Sequence, residues 1–129
     1  MGRRKILVVE DNLDNRRILV YRLRRFGDYE IIEASNGEEA VGAVRTLAPD
    51  LIFMDLKMPV MDGWEATRQI RGLEGGGEIG IIALTAQAMG GDEQKALAAG
   101  CDDYLAKPIV DPNVVRETIE RVLASKAKH

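Results

Sequence analysis

The sequence predicts an α/β protein, a doubly wound parallel sheet built from five (βα) units. Two observations carry this expectation. Short apolar runs recur along all 129 residues, and between them lie stretches with apolar residues at helical spacing. Strands separated by helices of this length pair in parallel through right-handed crossovers.

Each element has its own signal. Lys5 to Val9 is a short apolar run rich in β-branched residues, as a strand covered on both faces requires. Leu13 to Phe26 carries Leu19, Leu23 and Phe26 at helical spacing, with arginines between them, and Gly27 stops it. Tyr29 to Ala34 is a second strand, marked by Glu30 and Glu33 as more exposed and near an edge. Asn36 reads as an N-cap with Glu39 as its capping-box partner, and the helix runs to Leu47 before Pro49. Asp50 to Asp55 is a fully apolar third strand closed by a carboxylate. Asp62 and Glu65 cap a third helix through Arg71, and Gly75-Gly76-Gly77 reads as a flexible link. Ile79 to Thr85 is the fourth strand, Met89 to Ala99 a short helix stopped by Gly100, and Asp103 to Lys107 the fifth strand. Asp111 before Pro112 places an N-cap ahead of a proline at the first helical position. Val115, Ile119 and Val122 form the inward stripe of the last helix.

Composition narrows the function. With 46% apolar residues, residues 1–129 are expected to form one domain around one core. A net charge of −3 argues against a nucleic-acid-coating protein. Cys101 is alone, so an internal disulfide and a C-x-x-C site are excluded. The only histidine is His129, which argues against histidine catalysis. No apolar run approaches the ~20 residues of a membrane span, and the four apolar residues between Lys5 and Glu10 are too few for a signal peptide to be expected there. A soluble, cytoplasmic protein is expected, with neither nucleic acid nor membrane as partner. Gly75, Gly77 and Gly80 match G-x-G-x-x-G by letter but precede a strand, so the dinucleotide reading fails.

An open parallel sheet binds ligands beyond the carboxyl ends of its strands. There this sequence places Glu10-Asp11, Asp55, Thr85-Ala86 and Lys107-Pro108. Carboxylates brought together repel and raise each other's pKa, which a hard cation such as Mg²⁺ relieves. Lys107 adds a positive charge and Thr85 a hydroxyl. These are the parts needed to hold a phosphoryl group. The nucleophile would be a carboxylate, and Asp55, on a central strand, suits that role better than the adjacent Glu10 and Asp11.

These residues, with Pro59 and Asp62-Gly63, closely resemble the receiver domain of two-component response regulators, from Lys5 to about Leu123. The resemblance implies strand order 2-1-3-4-5 and phosphorylation of Asp55 by a phosphohistidine on a histidine kinase or histidine phosphotransfer protein. It implies Mg²⁺ held by Asp11, Asp55 and the Lys57 backbone carbonyl, with Glu10 acting through water. Lys107 and Thr85 would stabilise the phosphoryl group, and Ala86 would leave it accessible. Thr85 and Tyr104 would form the switch, and the Lys107–Pro108 bond would be cis. The fourth helix, fifth strand and fifth helix would then change face toward a downstream protein. On this reading the chain is a signalling phosphoacceptor and not an enzyme acting on other molecules.

Other readings stand beside these. Tyr104 also suits a half-buried strand position, and Trp64 and Cys101 read as packing residues. Arg16, Arg17, Arg22, Arg24 and Arg25 form either a solvated face or a docking surface for the phosphodonor. A pseudo-receiver would keep the fold without phosphorylation, but the intact Asp11, Asp55, Thr85 and Lys107 set argues against it. A Mg²⁺-dependent phosphohydrolase would need an acid where Lys57 stands. The chain suits a stand-alone regulator or the receiver of a hybrid kinase. Gln87 and Lys57 flank the site and would tune the lifetime of the acyl phosphate.

Overall fold

In the computed structural model, residues 3–58, 60–85, 92–107 and 111–127 are described. The elements are β1 (Arg4–Val9), α1 (Leu13–Phe26), β2 (Tyr29–Ala34), α2 (Gly37–Leu47), β3 (Leu51–Asp55), α3 (Gly63–Arg71), β4 (Gly80–Thr85), α4 (Asp92–Ala99), β5 (Asp103–Ala106) and α5 (Pro112–Ala127). The five strands are parallel in the order β2-β1-β3-β4-β5. The predicted order therefore holds, and β2 is an edge strand with Glu30 and Glu33 exposed.

Alternation along the central strands divides the core in two. Leu7 and Val9, Ile52 and Met54, and Ile81 and Ala83 face α2, α3 and α4 through Val41, Val44, Ala66, Ile70 and Ala96. Ile6 and Val8, Leu51 and Phe53, and Ile82 and Leu84 face α1 and α5 through Leu19, Leu23, Val115, Ile119 and Val122. A strand buried on both faces must be apolar at every position, which is why these runs do not alternate in sequence.

Several local expectations shift. Asp50 lies outside β3, where its carboxylate accepts the Lys5 N–H at 2.8 Å. Ile79 and Lys107 each stand one residue outside a strand. Asn36 accepts the Glu39 N–H at 2.8 Å, but the Glu39 carboxylate returns to the Ser35 N–H and hydroxyl and not to Asn36. The triple glycine is an ordered turn and not a flexible link. Residues Gly76–Glu78 form a 3₁₀ turn, and a Cβ on Gly76 would stand 1.8 Å from the Ile70 carbonyl.

What orders that turn is Arg71. Its guanidinium donates to the carbonyls of Gly76 and Ile79 at 2.6 Å and Gly100 at 2.8 Å, and to Asp102 at 2.9 Å. Asp102 also accepts the Ile81 N–H at 2.8 Å and pairs with Lys126 at 2.9 Å. Two cations that share Asp102, Arg71 and Lys126, thus tie α3, the start of β4, the start of β5 and α5 together at the amino end of the sheet. Cys101 lies at this end, buried, with its Sγ 3.6 Å from the Thr67 hydroxyl. Among the described residues no helix is long and apolar enough to cross a membrane.

Candidate functional site

Register brings the polar strand ends together at the carboxyl edge. Val9 pairs with Met54, so Glu10, the next residue, stands level with Asp55. Asp55 pairs with Leu84, the residue before Thr85, and Thr85 pairs with Ala106, the residue before Lys107. β1 and β3 are neighbours although β2 intervenes in sequence, so strand order reverses here. That is where open α/β sheets form their crevice.

The geometry is that of a buried acidic notch. Glu10 is 2% exposed, Asp55 3% and Thr85 1%, while Asp11 is exposed. Carboxylate oxygens of Glu10, Asp11 and Asp55 lie within 4.8 Å of one another. The Lys107 ammonium reaches between the two buried acids, 3.1 Å from Glu10 and 3.3 Å from Asp55. Burial, then the neighbouring Glu10 carboxylate, pushes the Asp55 pKa up to about 7 against the partial relief from Lys107. Burial also acts to raise Glu10, but hydrogen bonds with Asp55, the Asn12 amide and Lys107 outweigh it and hold Glu10 below its usual value. Burial would lower Lys107, yet attraction to Asp55 and Glu10 raises it.

A hard divalent cation fits these residues. Three carboxylates converge against one ammonium, and the burial and Glu10 charge that raise the Asp55 pKa are what a further positive charge would offset. The buried Thr85 hydroxyl has no hydrogen-bond partner among the described residues, and Thr85 closes β4 beside Asp55's strand, so it could donate to an acceptor oxygen there.

Arg16, in sequence only one member of the basic run of α1, contacts the edge of the notch. Its guanidinium donates to the Glu10 backbone carbonyl at 2.9 Å and pairs with Glu33 of β2 at 2.9 Å. It therefore clamps the turn that carries both Glu10 and Asp11. The Asn12 N–H adds a bond to the Glu10 carboxylate at 3.2 Å, and the Asn12 side chain caps α1 through the Asn15 N–H at 2.9 Å. A local signal existed: Asn12 reads as an N-cap. Nothing local showed that Arg16 turns back to the strand.

The remaining predicted residues are placed less closely. Lys57 follows β3 by two residues with an exposed side chain. Tyr104, opposite Ala83 in the sheet, is half-buried against the α2–α3–α4 core. Trp64 packs on the same core, with the Lys95 ammonium 5.0 Å from its ring centre. Ala86, Gln87, Pro59 and Pro108, and with it the expected cis bond, lie outside the described residues, as do Met89 to Gly91 at the expected start of the fourth helix.

Fold and site together define a flavodoxin-like α/β protein with a cation-ready acidic notch at its switch point. The chain belongs to the response regulator receiver domain family, whose model matches residues 6–120, and is thus a receiver domain of two-component signalling. It is 50% identical over 107 residues to hybrid signal transduction histidine kinase G of Dictyostelium discoideum, covering 81% of this chain but only 3% of that protein. It is 38% identical to the polar-differentiation response regulator DivK of Brucella anthropi, covering 93% of this chain and 96% of that one.

Two solved structures bear on the site. The receiver domain of a Pseudomonas aeruginosa sensor histidine kinase, with a magnesium ion coordinated in its active-site cleft, superposes with a TM-score of 0.87 at 39% identity. The match covers 95% of this chain and 99% of that one. The receiver domain of a Saccharomyces cerevisiae response regulator, crystallised with its histidine phosphotransfer protein, gives a TM-score of 0.85 at 37% identity over 97% of this chain and 92% of that one.

Proposed function

We propose that Asp55 is the phosphoacceptor of a phosphorelay switch, with a phosphohistidine on a histidine kinase or histidine phosphotransfer protein as donor. The observation that carries this is a carboxylate 3% exposed, at the carboxyl edge of the sheet, with Lys107 at 3.3 Å. A buried carboxylate at the end of a strand needs a reason, and a reaction with an incoming phosphoryl group supplies one. One Asp55 oxygen bonds to phosphorus as the P–N bond to the donor imidazole breaks, and the imidazole keeps that electron pair. Lys107 faces the charge that gathers on the phosphoryl oxygens.

Mg²⁺ would be held by Asp11, Asp55 and the Lys57 backbone carbonyl, with Glu10 acting through water. When bound, it supplies the positive charge that keeps Asp55 ionised and neutralises the phosphoryl oxygens. Thr85 then donates its unpartnered hydroxyl to a phosphoryl oxygen, and Ala86 leaves the group open to water. Movement of Thr85 frees space beside Tyr104, whose inward turn would alter the face of α4, β5 and α5 toward a downstream protein. The added charge, roughly −1.5 to −2, biases this change. Water resets Asp55 by hydrolysis. The protein signals by contact in the cytoplasm and has no substrate besides its own phosphoryl group.

The test is the mass of the intact protein after incubation with Mg²⁺ and acetyl phosphate. A gain of about 80 Da, absent in Asp55→Asn and without Mg²⁺, is the expected result. No gain in the wild type would leave a protein-binding module of the same fold. Rapid turnover of phosphomonoesters would instead make it a hydrolase.

A further inference from the structure

Among the described residues two buried side-chain polar atoms have no hydrogen-bond partner, the Thr85 hydroxyl and the Trp64 indole nitrogen. Buried donors are nearly always paired, so each needs a reason. Both stand next to α4. Thr85 closes β4, the strand that precedes α4 in the chain. Trp64, in the first turn of α3, has the Lys95 ammonium of α4 5.0 Å from its ring centre.

Among the five helices α4 has the smallest anchors. Its buried side chains among the described residues are Ala96 and Ala99, while Leu97 is 47% exposed. Larger side chains seat the other helices, such as Leu23 of α1, Val44 of α2, Ile70 of α3 and Ile119 of α5. Apolar burial stabilises in proportion to area, and a methyl group removes far less area from water than these do. A lysine over an indole face is held by the charge distribution of the ring. That contact therefore carries more of the weight at α4 than it would on a helix with a full apolar stripe.

Two opposed influences meet at Trp64. The Lys95 contact favours the present placement of α4, and the unpaired indole N–H disfavours it. A helix seated on two methyl groups between two unpaired donors is an element with a second placement close in free energy. We infer that Trp64 is a second switch residue and Lys95 its latch. The pair holds α4 in its unphosphorylated placement. When Thr85 turns to the phosphoryl oxygen, α4 shifts, Lys95 leaves the ring and the indole N–H gains an acceptor from the chain or from water. Trp64 packs on the same core cluster as Ala96 and Tyr104, so a shift of α4 changes the surroundings of both aromatic rings. The inference rests on the reading of Asp55 as the acceptor.

Trp64 is the one tryptophan of the chain, so intrinsic tryptophan fluorescence reads this site alone. Acetyl phosphate is added at fixed Mg²⁺, and the emission is followed beside the mass of the intact protein. The wild type should shift its emission maximum in step with the gain in mass. Thr85→Val should be labelled without that shift. Lys95→Met keeps an apolar stem and removes the charge, and Lys95→Gln is a second uncharged variant. Subsaturating acetyl phosphate should label both about two- to fivefold faster than the wild type, because the latch is lost from the unphosphorylated state. Lys95→Arg, which keeps a cation over the ring, should match the wild type. The direction separates the latch from general electrostatics: acetyl phosphate is an anion, and loss of a nearby cation would by itself slow its approach.

A labelled wild type with unchanged Trp64 emission overturns the proposal. So does a shift that persists in labelled Thr85→Val. Labelling of Lys95→Met and Lys95→Gln at or below the wild-type rate overturns it as well, and would leave Lys95 a surface contact. A wild type that acetyl phosphate does not label defeats the acceptor reading itself, and this inference with it.

Discussion

Arg16 holds the backbone carbonyl of Glu10 at 2.9 Å. The contact joins the basic helix α1 to the turn that carries Glu10 and Asp11, so Arg16 is placed to steady the backbone beneath both carboxylates. With Glu33 at 2.9 Å on its other side, the guanidinium spans from β1 to the edge strand β2.

Replacing Arg16 with alanine should therefore weaken Mg²⁺ binding on the order of tenfold while leaving the circular dichroism spectrum unchanged. Arg16→Lys, which can keep one bond but not both, should fall between. Calorimetric titration of Mg²⁺ checks this. An unchanged affinity in Arg16→Ala would reduce the clamp to a stabilising contact.

The raised Asp55 pKa predicts a direction for stability. Without metal, the folded chain keeps its proton up to about 7, whereas the unfolded chain releases it near 3.8. Below the lower value both states are protonated and Asp55 costs nothing. Between the two the folded state holds more protons, so stability falls as pH rises, and the cost is complete above about 7. Asp55→Asn should thus gain stability over the metal-free wild type, by a margin that grows from pH 4 to pH 7.5. Mg²⁺ should close that gap. Urea midpoints across this range, with and without Mg²⁺, are the measurement.

Thr85→Val removes a buried hydroxyl that has no hydrogen-bond partner among the described residues. It should stabilise the unphosphorylated chain by about 1 kcal/mol in urea unfolding. Acetyl phosphate should still label Asp55, while the spectral change that accompanies labelling should be lost. A destabilised Thr85→Val would mean that the hydroxyl is already satisfied.

Arg71→Ala should cost about 2–4 kcal/mol, because it leaves Asp102 and three buried-side carbonyls without their shared donor. Amide exchange should quicken first at Gly76 to Ile81, around the 3₁₀ turn. Protection unchanged there would show that the glycines hold the turn unaided.

Most of the fold and the principal acids of the site were legible in the sequence. Apolar runs long enough for a strand, helical spacing between them and acidic, hydroxyl or amine side chains at the run ends are local properties, and hydrophobic burial turns them into strands, helices and a polar sheet edge. Only the tertiary structure decided which neighbours those groups met. Strand register set Glu10 beside Asp55 and let Lys107 reach both; burial lifted the Asp55 pKa; Arg16 turned away from solvent; and Arg71, paired with Asp102 31 residues on, held the glycine turn through the Gly76 and Ile79 carbonyls. The physical reason is the same in each case. Burial and electrostatics depend on distances in space, and those are set by pairings between segments far apart in the chain.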